Sequence, residues 1–109
     1  MDMTLETVAD CLAQLGNPTR LAIYRLLVRA APDGLPVGDI KTHLNIPAST
    51  LSHHIQHLAF VGLVEQTREG RVLRCRADCA RMDALVAYLA NECCLGFDTA
   101  NLETEDKSS

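Results

Sequence analysis

Two sets of side chains in this 109-residue sequence have the types and spacing to do chemistry. In the first, Ser49, Thr50, Ser52, His53 and Gln56 lie on one side of a segment whose apolar residues Leu51, Ile55, Leu58 and Val61 recur at i, i+4, i+7 and i+10. That recurrence predicts a helix with one core-facing stripe. The opposite face then carries short hydroxyls and amides, which both donate and accept and so suit base edges and phosphates in a DNA major groove. An ordinary solvated helix face could carry the same residues. The second set is Cys11, Cys75, Cys79, Cys93 and Cys94. Thiolates favour soft thiophilic ions, and trivalent arsenic or antimony takes three of them in a pyramid.

The segments on either side of the polar-faced helix decide between its two readings. Gly62 can end it, and Leu63 to Arg68 and Arg71 to Arg76 read as two strands joined at Glu69-Gly70, with Arg68, Arg71, Arg74 and Arg76 in or beside the hairpin. Before it, Val37 to Leu44 makes a short helix with Val37, Ile40 and Leu44 on one side, and Asn45-Ile46-Pro47 is a tight connection. A short helix, a turn, a polar-faced helix and a basic hairpin describe a winged helix-turn-helix. The fold class expected is therefore mainly α with a small β-hairpin wing.

The flanks complete the domain. Thr4 caps a first helix carrying Leu5, Val8, Leu12 and Leu15, and a second helix starts at Pro18-Thr19 and is apolar on most sides as far as Val28. Ala30 to Pro36 reads as a loop. Asp78 caps a last helix expected from Cys79 to Leu95, with Met82, Leu85, Val86, Leu89 and Cys93 as its stripe and Gly96 as its stop. Residues 1–96 thus form one DNA-binding and dimerisation domain, and the acidic tail 97–109 is expected to be disordered. The stripes of the first and last helices are most simply buried against a second copy, and the alternative is that both close one monomeric core.

Charge and composition bound the partners. The formal charge of −4 argues against nucleic acid in total but not in distribution. Ser49 to Arg76 holds four Arg against Glu65 and Glu69, whereas the stretch from Asp98 onwards holds four acids against Lys107. There is no apolar run long enough to span a bilayer and no signal-peptide pattern at the start, so a cytoplasmic location with no membrane partner is expected. A thiol enzyme would need a reactive Cys in an anion-binding loop, and no glycine-rich phosphate loop is present, so the chain is not read as an enzyme. His43, His53, His54 and His57 surround the helix-turn-helix and read as DNA-contacting or packing residues in preference to metal ligands.

Leu15-Gly16-Asn17-Pro18-Thr19-Arg20-Leu21-Ala22-Ile23-Tyr24-Arg25-Leu26-Leu27, then Thr50-Leu51-Ser52-His53-His54-Ile55-Gln56-His57-Leu58, then Gly62-Leu63-Val64 and Arg68-Glu69-Gly70-Arg71, resemble the ArsR-type (ArsR/SmtB) metal- and metalloid-sensing repressors. The resemblance spans about residues 5 to 95. It implies a homodimer, joined through its first and last helices, that occupies a palindromic double-stranded DNA operator and leaves it when an inducer binds. It makes Ser49, Thr50, Ser52, His53 and Gln56 groove-facing residues and Arg68 and Arg71 wing contacts.

The arsenic-sensing prototypes of that family carry a Cys-x-Cys pair where this chain has Val37-Gly38-Asp39, and zinc-sensing members carry Asp and His along the last helix, where Asp83 has no His after it. The cysteines remain. Some members carry a vicinal pair at this helix end with a further Cys beyond, and here Asn91-Glu92-Cys93-Cys94 is followed by none. Adjacent helix residues point about 100° apart, so Cys93 and Cys94 can share an ion only if the helix end loosens, which Gly96 permits. A third thiolate would come from Cys79, across the antiparallel dimer that the resemblance implies, or from Cys11. Cys75 is assigned to packing. The expected function is a repressor released by As(III) or Sb(III), with no permanently bound cofactor. The alternative is the same repressor acting as a redox, persulfide or electrophile sensor through its thiols.

Overall fold

The computed structural model describes residues 3–91 and 93–96. The chain forms α1 (Leu5–Leu15), α2 (Pro18–Arg29), β1 (Leu35–Pro36), α3 (Val37–Leu44), α4 (Ala48–Phe60), β2 (Val64–Glu69), β3 (Val72–Ala77) and α5 (Cys79–Ala90). This is a winged helix-turn-helix, mainly α with a small antiparallel sheet ordered β1-β3-β2. The expected tail, residues 97–109, lies outside the described residues.

Local chemistry sets each helix start. The Thr4 hydroxyl accepts from the Thr7 amide at 3.1 Å, Asn17 Oδ1 accepts from the amides of Thr19 and Arg20, and Asp78 Oδ1 accepts from the Arg81 amide at 3.0 Å. Each bond satisfies an amide that a first helical turn otherwise leaves unpaired. Ile23, Leu27, Ile40, Leu51, Ile55, Leu58 and Leu63 are fully buried, so α2 is the centre against which α3, α4 and the wing pack. The stripe Leu51, Ile55, Leu58 and Val61 is buried as expected, which turns Ser49, Thr50, Ser52, His53 and Gln56 outward.

Four features depart from the expectations. β1 replaces the end of a predicted loop, pairing Leu35 with Cys75 and Pro36 with Arg74. Proline, which has no amide hydrogen, is admitted there because β1 is an edge strand. The hairpin turn is Gly70-Arg71 in place of Glu69-Gly70, because Glu69 pairs with Val72. Gly70 takes φ +64° at the first central position, as a type II′ hairpin turn requires. In α1 the core face is Val8 and Cys11, while Leu5 and Leu12 are 43% and 42% exposed. Finally, α5 stops at Ala90, not Leu95, with Asn91 already extended at ψ 130°. Only Leu85 of α5 is buried, so little tertiary packing opposes the poor helix propensity of Asn and Cys at its end.

Gly34 fixes how β1 meets the wing. Its φ is +72°, and a Cβ there would run into the Cys75 carbonyl and the Arg76 side chain. A left-handed backbone alone costs a non-glycine residue about 1–3 kcal/mol. Gly34→Ala is therefore expected to lower the thermal midpoint by at least about 5 °C in a melting scan.

Candidate nucleic-acid interface and thiol pair

The outward face of α4 is built by its burial pattern, and its orientation is fixed by polar contacts behind it. Arg20 Nε donates to His54 Nδ1 at 3.1 Å and Arg20 Nη1 donates to Gln14 Oε1 at 2.7 Å, tying α1, α2 and α4 together. Burial, and after it the Arg20 charge, lower the His54 pKa, which keeps Nδ1 an acceptor near neutral pH. At the other end of α4 the Val61 carbonyl accepts from Arg81 Nε at 3.2 Å, from Arg81 Nη2 at 3.0 Å and from the Cys11 thiol at 3.6 Å. The first turn of α5 and the middle of α1 thus hold the C-terminus of the polar-faced helix. Gly62 leaves room for this, because a Cβ there would lie 2.9 Å from Arg81 Nε.

The wing sorts its arginines into two pairs. Glu69 accepts from Arg74 Nε at 2.9 Å and from Arg76 Nη2 at 3.4 Å, and Arg76 Nη1 also donates to Thr67 Oγ1. Those bonds to Arg74, ahead of the Arg76 contact, hold the Glu69 pKa below its ordinary value. Arg68 and Arg71 are exposed and have no ion pair among the described residues. The structure therefore brings Ser49, Thr50, Ser52, His53 and Gln56 onto one helix face, and leaves Arg68 and Arg71 as the uncommitted charges of the wing. Arg20 and Arg81 carry no pattern in the sequence that marks them, since each acts on a residue more than one element away.

The five cysteines divide by exposure. Cys11 and Cys75 are buried, Cys79 is half-buried and Cys93 and Cys94 are exposed. Burial pushes the Cys75 thiol up to about 11 and, opposed in part by Arg81, raises that of Cys11. Beyond the end of α5, Cys94 takes φ +65° and the two vicinal sulfurs lie 3.6 Å apart. The earlier helix end thus supplies the loosening that a continuous helix through Cys93 would have denied. Thiolates bound to one ion at about 2.3 Å each stand about 3.3–3.8 Å apart for pyramidal to tetrahedral angles, a range that includes this separation.

Neither candidate third ligand joins them within one chain. Cys11 is held against the Val61 carbonyl, and Cys79 is at the far end of α5, about 18 Å away along a 12-residue helix. Among the described residues no group of three or more His, Cys, Asp and Glu comes together. Alkylation should follow the same division: in native reduced protein at pH 8, iodoacetamide is expected to label Cys93 and Cys94 first and Cys79 more slowly. Cys11 and Cys75 should react only after denaturation, because a raised pKa leaves little thiolate and burial denies access. Peptide mass spectrometry reads the order, and early labelling of Cys75 would contradict the packing described.

Comparison with known proteins gives the same architecture. Residues 15–67 match a family model described as a helix-turn-helix domain. An uncharacterized HTH-type transcriptional regulator of Methanocaldococcus jannaschii is 37% identical over 65 residues, 60% of this chain and 71% of the relative. A homodimeric winged helix-turn-helix DNA-binding domain from Mycobacterium bovis, a possible ArsR-family transcriptional regulator, is 36% identical with a TM-score of 0.64, covering 81% of this chain and 82% of that one. A possible transcriptional regulator for arsenical resistance is 25% identical with a TM-score of 0.65, covering 89% and 95%. No helix among the described residues is long and apolar enough to cross a membrane.

Proposed function

Because this chain belongs to the ArsR-type family of winged helix-turn-helix, DNA-binding transcriptional regulators, we propose that it is a homodimeric repressor whose Cys93 and Cys94 bind As(III) or Sb(III) and thereby release it from a palindromic operator. The observation that carries the inducer is the exposed sulfur pair, 3.6 Å apart, at the end of α5. Hard ligands are absent from the pair itself, so a soft trivalent metalloid suits it better than magnesium or calcium. The third position falls to Cys79 of a second copy, a small thiol or water. The likeness to a possible transcriptional regulator for arsenical resistance supports the same inducer.

Dimerisation follows from what a single chain leaves uncovered. On α1, Leu5 and Leu12 are exposed, and on α5, Val86 and Leu89 are 57% and 58% exposed. These apolar faces lie on the first and last helices, and joining two copies there removes them from water. Each copy then presents Ser49, Thr50, Ser52, His53 and Gln56 to a major groove, with Arg68 and Arg71 against the backbone beside it. The relative from Mycobacterium bovis is itself homodimeric.

Release follows from the contact between α5 and α4. Ligation ties Cys93 to Cys94 just beyond α5 and biases where that helix sits in the dimer. Arg81, in the first turn of α5, holds the Val61 carbonyl at the end of α4, so a shift of one helix displaces the other. Two reading helices must keep their spacing to occupy successive grooves, and a small rotation breaks that match.

The test is a DNA-binding titration on reduced protein, using a duplex from upstream of its own gene and arsenite, antimonite, zinc, cadmium and peroxide side by side. Release by arsenite and antimonite supports the assignment. Release by peroxide alone would move it to thiol oxidation, for which the exposure of Cys93 and Cys94 is equally suited. No binding to that duplex at low salt would overturn the DNA-binding assignment.

A further inference from the structure

The outward face of α4 also carries two imidazoles in a relation that DNA contact does not require. His53 and His57 are one helical turn apart, their Nε2 atoms are 3.1 Å apart, and their rings stand nearly perpendicular with centroids separated by 4.5 Å. Positions i and i+4 share a helix face, so both nitrogens converge on one point beside it. Two imidazole nitrogens at this distance share a proton or share an ion. An ion bonded to both at about 2.05 Å holds cis nitrogens about 2.9–3.3 Å apart, which includes the observed separation. The same spacing of two histidines on one helix face chelates zinc in the His-Glu-x-x-His motif.

The neighbouring groups define the donor set. His54 is turned away and occupied by Arg20, which is itself bound to Gln14. No third His, Cys, Asp or Glu joins the pair among the described residues, so an ion held here would complete its shell with water. Two imidazole nitrogens with water suit borderline divalent ions and give little to hard calcium or magnesium.

We propose that His53 and His57 form a two-imidazole site for a divalent ion of the nickel, copper and zinc class, and that an ion bound there keeps α4 off DNA. The second part rests on α4 being the reading helix. His53 stands among Ser49, Thr50, Ser52 and Gln56 on the exposed face, and a hydrated ion on it occupies the space that a base edge would need. The site is separate from Cys93 and Cys94, so the two inputs can be dissected.

The experiment uses the untagged 109-residue chain carrying Cys93→Ser and Cys94→Ser, titrated with nickel chloride in a calorimeter and then in the DNA-binding assay. Saturable binding of one nickel per protomer is expected, weakened by more than about tenfold in His57→Gln. In NMR spectra, paramagnetic broadening should begin at the ring signals of His53 and His57. Nickel should weaken DNA binding by the thiol-free chain and leave the His57→Gln version unaffected. Heats no different from those of a folded His53→Gln/His57→Gln variant, or broadening that begins elsewhere, would overturn the site. Nickel binding with unchanged DNA affinity would overturn its effect on DNA. If the thiol-free chain without nickel ignores DNA, the failure belongs to the DNA-binding assignment, and calorimetry and NMR still decide the site.

Discussion

Replacing Cys93 and Cys94 together by serine is expected to leave operator affinity within about twofold of the parent and to abolish release by arsenite. The first half follows from exposure: both residues lie beyond the last helical turn, where substitutions change stability by about 0.5 kcal/mol or less. The second half follows from ligand chemistry, since a serine hydroxyl stays protonated at neutral pH and offers a hard oxygen in place of a soft thiolate. Magnitude matters here. Emptying an operator from 99% to 1% occupancy needs about 5.5 kcal/mol of differential binding, whereas one allosteric site typically supplies about 1–3 kcal/mol. Two symmetric sites acting together come within reach of that figure and one does not. In the proposed dimer, the second copy would thus supply a second inducer site as well as a second reading helix. Cys75→Ser is the control: it places a hydroxyl in the core beneath the wing and should lower stability while arsenite still acts. An electrophoretic mobility assay with graded arsenite distinguishes these outcomes. A doubly substituted chain that still leaves DNA on arsenite would show that other thiols do the sensing.

The parts of this fold that were legible in the sequence are those encoded by local periodicity. Leu51, Ile55, Leu58 and Val61 mark α4, and the bounds of α3 match Val37 to Leu44, because each element buries one stripe and the helical period alone locates it. Caps at Thr4 and Asp78 were equally readable, each being a single side chain that meets the amide three residues on. β1 was not, since two residues carry no period and Leu35-Pro36 is a strand only because Cys75 and Arg74 lie beside it. In α1 the apolar residues cover more than one face, so periodicity could not say that Val8 and Cys11 turn inward while Leu5 and Leu12 face out. The end of α5 was set by missing tertiary support, which sequence does not display. The same holds for the site: the residue types on α4 and the vicinal cysteines could be named, but not the grip of Arg81 on the Val61 carbonyl, nor the approach of His53 to His57.

Removing both uncommitted arginines of the wing, Arg68→Ala with Arg71→Ala, is expected to cost about a thousandfold in operator affinity at 0.1 M salt and to flatten its salt dependence by about 3.6 logarithmic units per decade. The estimate follows from counterion release. Each phosphate neutralised contributes about 0.9 to the slope of log K against log salt, and two arginines on each of two protomers remove four such contacts. At 0.1 M a slope of that size corresponds to between three and four decades in K, less whatever the remaining residues recover. Arg74 and Arg76 should not substitute for them, because both are committed to Glu69. Arg74→Ala should therefore change the slope by less than about one unit per dimer, and its effect should appear in wing stability instead. Base specificity should survive in the double arginine variant, since Ser49, Thr50, Ser52, His53 and Gln56 are untouched and phosphate contacts carry no sequence information. The measurement is fluorescence anisotropy of a labelled operator across a range of potassium chloride, with a scrambled duplex alongside. An unchanged slope would mean that the wing does not touch the backbone. A lost preference for the operator over the scrambled duplex would mean that Arg68 or Arg71 reads bases.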